Sequence, residues 1–153
     1  MKKPLFLSLL ALSIALFGIA CAFSNNRKTI SQDFAIYYFT GGCYGTCPNY
    51  SLQIRANGTG TYEGRVYVKT TGTKLLVISE RDLQKLSREI DRVNFFALPD
   101  TILGDLSGDA GRRIIEVTQN GQTKKITFDV GTEELARLAN TIEDATRVEK
   151  LIK

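Results

Sequence analysis

The chain reads as an α+β domain, an antiparallel sheet of about five or six strands with two amphipathic helices on one face. Three observations point there. Asn57-Gly58 and Asn120-Gly121 each sit between stretches rich in branched and aromatic residues, the pattern of a tight hairpin whose turn needs positive φ. Tyr50, Leu52 and Ile54 alternate with Ser51, Gln53 and Arg55, as in a strand with one buried face. Two later segments repeat their apolar residues at helical spacing in a single stripe, which suits a helix covering a sheet but not a central buried one. Strands followed by a helix, twice over, imply a two-layer sandwich.

In chain order, the first strand is expected over Phe34-Ala35-Ile36-Tyr37-Tyr38-Phe39, dense in aromatic and branched residues. A Gly/Cys loop leads to the second at Tyr50. Ala56-Asn57-Gly58 turns the chain into Thr59 to Lys69, with Tyr62, Val66 and Val68 expected on one face, and Thr70-Thr71-Gly72-Thr73 turns it again into Lys74 to Ile78. Ser79 is a suitable N-cap, with Glu80 and Asp82 in the first turn and Leu83, Leu86, Ile90 and Val93 as the stripe. Leu98-Pro99-Asp100 ends that unit, and residues 100 to 111 read as a polar loop. Arg112 to Gln119 and Gln122 to Val130 form the second hairpin. Thr132 caps a last helix whose stripe is Leu135, Leu138, Ile142, Ala145 and Val148.

The first 21 residues have a different character. Lys2 and Lys3 precede an uncharged run from Leu5 to Ile19, about 15 residues where a membrane-spanning helix needs about 20. Gly18-Ile19-Ala20-Cys21 resembles the lipobox of bacterial lipoproteins, with Gly18 at the position that most often holds Leu. The resemblance implies cleavage before Cys21 and attachment of a diacylglycerol lipid, with palmitate a typical acyl chain, to its sulfur. Ala22 in place of Asp implies the outer membrane, facing the periplasm, if the envelope is Gram-negative. The expected organisation is a signal peptide over 1–20, a lipidated cysteine and polar tether over 21–33, and one domain over 34–153. Residues 22 to 33 reach about 40 Å at full extension.

Loss of residues 1–20 leaves 133 residues, enough for one core and one domain. It also removes Lys2 and Lys3, so the formal charge of +4 falls to about +2, with 18 basic side chains against 16 acidic ones. So small a charge, without a basic block, argues against a nucleic-acid partner. The chain has no histidine, which excludes a Ser-His-Asp triad, a Cys-His pair and an imidazole-ligated metal.

Gly41-Gly42-Cys43-Tyr44-Gly45-Thr46-Cys47-Pro48-Asn49-Tyr50 is the densest signal in the chain. With Cys21 assigned to lipid, Cys43 and Cys47 remain as an even pair in an oxidising compartment, where a disulfide is the default. Bridging them requires the chain to double back, for which Gly45 supplies a turn, while Pro48 holds Cys47 extended before the next strand. A redox-active pair and a copper site of two thiolates are alternatives. Three intervening residues leading into a strand depart from the Cys-x-x-Cys at a helix start, and the usual histidine partner of copper is missing.

Gly41, Cys43, Gly45, Cys47, Pro48 and Tyr50 together resemble the hallmark of a family of uncharacterised bacterial envelope domains, often found in lipoproteins, in which Gly-x-Cys-x-Gly-x-Cys-Pro-x-Tyr feeds a strand and an Asn/Asp-Gly hairpin. The similarity covers roughly residues 33 to 148 and implies domain type and location, with no activity to carry over. Asp100, Asp105 and Asp109 are weak candidates for a divalent cation or a hydrolytic carboxylate pair, against a solvated acidic loop, and their spacing fits no calcium loop. Tyr44 and Thr46 in the cysteine loop, with Tyr37 and Tyr67, are the candidate contact surface; cross-strand packing is the competing use of these tyrosines.

The expectation is a non-enzymatic envelope lipoprotein that binds a protein or cell-wall partner at a membrane surface and takes no cofactor. Alternatives are an inhibitor or accessory subunit of an envelope enzyme, and a thiol-redox or hydrolytic enzyme using Cys43 and Cys47 or the aspartates.

Overall fold

The computed structural model describes residues 29–104, 111–129 and 132–153. The chain runs through β1 (Ala35–Gly41), β2 (Asn49–Arg55), β3 (Thr59–Val66), β4 (Gly72–Val77), α1 (Glu80–Arg92), a 3-10 turn (Phe95–Ala97), β5 (Thr101–Ile102), β6 (Arg112–Gln119), β7 (Gln122–Phe128), α2 (Glu133–Thr146) and the short α3 (Glu149–Ile152). The strands form one seven-stranded sheet in the order β4-β3-β2-β1-β6-β7-β5. β1 is central and antiparallel to both β2 and β6, joining the two halves.

The fold is mixed α+β, as expected, with seven strands where five or six were expected and α3 as a third helix. The added strand, β5, lies in the stretch read as loop and pairs parallel to β7 through Thr101 and Ile102. Two residues carry too little alternation to announce a strand. Its partner supplies the order, with the Thr127 amide donating to the Asp100 carbonyl at 2.9 Å.

Alternation sorts most of the strands into two faces. Ile36, Tyr38, Leu52, Ile54, Tyr62, Ile115, Val117, Ile126 and Phe128 are buried on one face, beneath Leu83, Leu86 and Ile90 of α1 and Leu135, Leu138 and Ile142 of α2. Removing this apolar surface from water is the main favourable term of the fold. Both helix starts carry the expected cap, the Ser79 hydroxyl accepting from the Asp82 amide at 3.1 Å and the Thr132 hydroxyl from Leu135 at 3.4 Å.

The two Asn-Gly turns differ. Asn120 and Gly121 both have positive φ, 55° and 76°, and join Gln119 directly to Gln122 as a two-residue hairpin turn. In the first hairpin only Gly58 is left-handed, at 77°, and its amide donates to the Arg55 carbonyl at 3.0 Å across a three-residue connection. There Asn57 serves through its side chain, which accepts from the Thr59 amide at 3.0 Å.

Asp33 ties the start of the domain to the second hairpin. Its carboxylate accepts from the amides of Asn120 at 3.1 Å and Gly121 at 2.6 Å. The chain therefore enters the domain beside the β6–β7 turn, at one end of β1, and leaves β1 for the cysteine loop at the other. Seven residues of strand separate these ends by about 20 Å.

Candidate functional site

The cysteine loop joins two neighbouring strands that must stay in register, and a disulfide closes it. Cys43 and Cys47 are bonded with Cα atoms 6.1 Å apart, and the Gly45 amide donates to the Cys43 sulfur at 3.3 Å. The chain bends through Tyr44, Gly45 and Thr46, with the turn at Gly45 as expected, and Gly42 ahead of it is left-handed with φ at 78°. Gly41 is needed for another reason: a Cβ there would stand 2.6 Å from Nδ2 of Asn49, whose side chain lies across it.

Tyr50, the last residue of the motif, points to the helix side of the sheet. Its hydroxyl donates to Glu143 Oε1 in α2 at 2.9 Å, and the Tyr38 hydroxyl donates to the same oxygen at 2.8 Å. Both tyrosines are buried, and their rings meet edge to face with centroids 6.1 Å apart. Tyr62 continues the row 5.9 Å beyond Tyr50, and its hydroxyl donates to the Thr70 carbonyl at 2.8 Å. The Thr70 amide in turn donates to the Leu151 carbonyl at 2.9 Å, fastening the C-terminal segment over the row.

Electrostatics keep these phenols neutral. Burial is the main cause raising the Tyr38 and Tyr50 hydroxyls far above the usual phenol range, reinforced by the Glu143 carboxylate and opposed in part by Arg113. Tyr62 is raised by burial. At physiological pH Tyr38 and Tyr50 are therefore hydrogen-bond donors to Glu143, and Tyr62 is a donor to the Thr70 carbonyl.

Glu143 and Arg113 line one cleft of about 230 Å³ together with Gly41, Cys47, Tyr50 and Gly111. Gly111 packs closely against the stapled loop, where a Cβ would stand 3.3 Å from the Gly41 carbonyl and 3.6 Å from Cys43 Cβ. Among the described residues no ion pair joins Arg113 to a carboxylate. On its other side Glu143 borders a second, charged depression of about 460 Å³ with Arg147, Lys150 and Lys153.

The expected contact residues do not form one patch. Tyr44, 89 % exposed, and the exposed Thr46 lie on the stapled loop. Tyr67, 59 % exposed with φ at 56°, follows β3 at the same end of the sheet. Tyr37 lies in mid-strand on the face away from the helices, half-buried beside a hollow with Gln53 and Glu116. That face also carries Phe39, whose ring sits 5.5 Å beneath the Arg65 guanidinium. Asp100 pairs with Lys124 at 2.9 Å. Cys21, Asp105 and Asp109 fall outside the described residues. Among the described residues no group of three or more acidic or cysteine side chains is arranged to hold a metal, and no helix is long and apolar enough to cross a membrane.

Glu143 and Arg113 were not singled out from sequence. The available signal was weak: Tyr50 and Tyr62 fall on the buried side of their alternation, and a buried tyrosine needs a partner for its hydroxyl. Nothing local identifies a glutamate 93 residues later as that partner.

Two comparisons bear on identity. No curated protein matches the chain. The model of a domain of unknown function, DUF6438, matches residues 34–146, a span that opens at the start of β1 and closes at the end of α2, enclosing the stapled loop, Arg113 and Glu143. With most of its length matched, this chain belongs to the DUF6438 family of domains of unknown function.

Proposed function

We propose that the protein is a non-enzymatic binding domain of the cell envelope, anchored by lipid at Cys21 and presenting its stapled loop to a protein or cell-wall partner. The observation that carries this reading is the placement of the loop. Asp33 fastens the tether end to Asn120 and Gly121, while Tyr44 and Thr46 are exposed beyond the opposite end of β1. An anchor at Cys21 then joins the domain at its β6–β7 end, opposite the loop. The disulfide restricts the loop before contact, so less ordering entropy is lost on binding. Tyr44 adds a large amphipathic ring of the kind enriched at interfaces.

A photo-crosslinking residue at position 44 should capture a defined envelope partner in cells, and one at position 120, at the tether end, should not. Equal capture at both positions would refute the orientation. No capture at position 44, combined with turnover of a small substrate by the purified protein, would refute the binding reading. The mass of the mature protein tests the anchor separately, since an unmodified Cys21 contradicts lipidation.

A further inference from the structure

We propose that the cleft between the stapled loop and α2 binds a small zwitterion, of the class of a free dipeptide, with its ammonium on Glu143 and its carboxylate on Arg113. This rests on the binding reading above and names a ligand class for the same end of the domain. The first argument is charge. A guanidinium and a carboxylate line one cleft, and among the described residues no ion pair joins either of them to the other or to a further charge. A ligand bearing both charges satisfies both walls, whereas a simple anion or cation leaves one unmatched.

The second argument is preorganisation. Tyr38 and Tyr50 both donate to Oε1 of Glu143, which holds the carboxylate while its second oxygen takes no hydrogen bond from the described residues. Arg113 is held by β6, where it pairs with Thr40 of β1 on one side and Phe128 of β7 on the other. The wall between them is stiff, made by the Cys47 disulfide and by the close approach of Gly111 to Gly41. Fixed charges on rigid elements lose little entropy on binding.

The third argument is size. At about 230 Å³ the cleft falls below the roughly 300–1,000 Å³ of ordinary small-molecule pockets, which suits a short ligand.

The test is calorimetric titration of the full chain, purified in detergent, with alanyl-alanine, its N-acetyl form and its C-terminal amide. The free dipeptide should bind saturably, and each block should weaken binding at least about tenfold, as loss of one charge-assisted contact does. Arg113→Met should bind the free and amidated forms alike, and Glu143→Gln the free and acetylated forms alike, each variant first shown to be folded by circular dichroism. Absence of saturable binding at roughly 10 mM, an affinity too weak to be a specific site, overturns the proposal. So does a loss of affinity on blocking one end alone, which means that a single charge is being read. Crosslinking at position 44 reports the partner contact and not the cleft, so the two readings can fail separately.

Discussion

Removing the Glu143 carboxylate tests whether the shared oxygen holds the sheet to α2. In Glu143→Ala two buried phenol hydroxyls lose their acceptor. A buried donor left unpaired costs about 1–3 kcal/mol, so the pair amounts to about 2–6 kcal/mol. Water entering from the clefts that Glu143 borders reduces this toward about 2–4 kcal/mol. That is a large share of the roughly 5–15 kcal/mol by which domains are stable. Glu143→Gln keeps an acceptor for both hydroxyls and should cost less than half as much. The decisive comparison is with Tyr38→Phe/Tyr50→Phe, where Glu143→Ala should cost under about 1 kcal/mol, because no donor is left to orphan. Urea unfolding followed by far-ultraviolet circular dichroism measures all four variants. If Glu143→Ala costs the same in both backgrounds, the hydrogen bonds carry no stability and the reasoning fails.

Alkaline pH gives a second test. The Tyr38 and Tyr50 phenols are raised when folded, so their contribution to stability is complete below about pH 10 and declines above it as the unfolded phenols ionise. Their tyrosinate absorbance should appear together with loss of the circular dichroism signal, and an earlier appearance would contradict their burial. Asp33 behaves oppositely. The Gly121 amide, then Ser31 and Asn120, hold its carboxyl below the usual range, so its contribution is present above about pH 4 and lost as pH falls through the lowered value. The urea-midpoint difference between wild type and Asp33→Asn should therefore shrink below about pH 4; a constant difference argues against the clamp. Cys43→Ser/Cys47→Ser should lower stability by about 2 kcal/mol, the loop-entropy value for so small a ring, measured by the same unfolding curves. Gly64→Ala should destabilise by about 1–3 kcal/mol, because its Cβ would collide with the Thr70 carbonyl and the Tyr62 hydroxyl. A neutral Gly64→Ala would mean that β3 can yield there.

One strand edge carries its own liability. β4 lies at the end of the sheet, and Leu75 and Val77 on it are 87 % and 93 % exposed. Unpaired edges with apolar side chains invite further strand pairing. Lys74, on the same strand, is the one charged side chain there to oppose it.

What could be read from the sequence was local. Ser79 and Thr132 cap their helices because a short side chain reaches amides three residues on, and the apolar stripes of α1 and α2 follow from helical period. The strands around Asn120-Gly121 follow from residues that accept positive φ, and Cys43 with Cys47 follows from a spacing that a reversal can close. The two-residue β5 was not legible, since it depends on a partner strand distant in sequence. The candidate site is of this second kind. Tyr38 and Tyr50 meet Glu143 across 105 and 93 residues, and Arg113 joins them only through the register of β6 against β1. The sequence by itself determined six of the strands, the two long helices and the buried face of most of those strands, because backbone sterics and periodicity act within a few residues. Only the tertiary structure decided which polar groups share a cleft and that the β6–β7 turn lies beside the start of the domain, because those depend on strand order and the rotation of α2, which no short segment encodes.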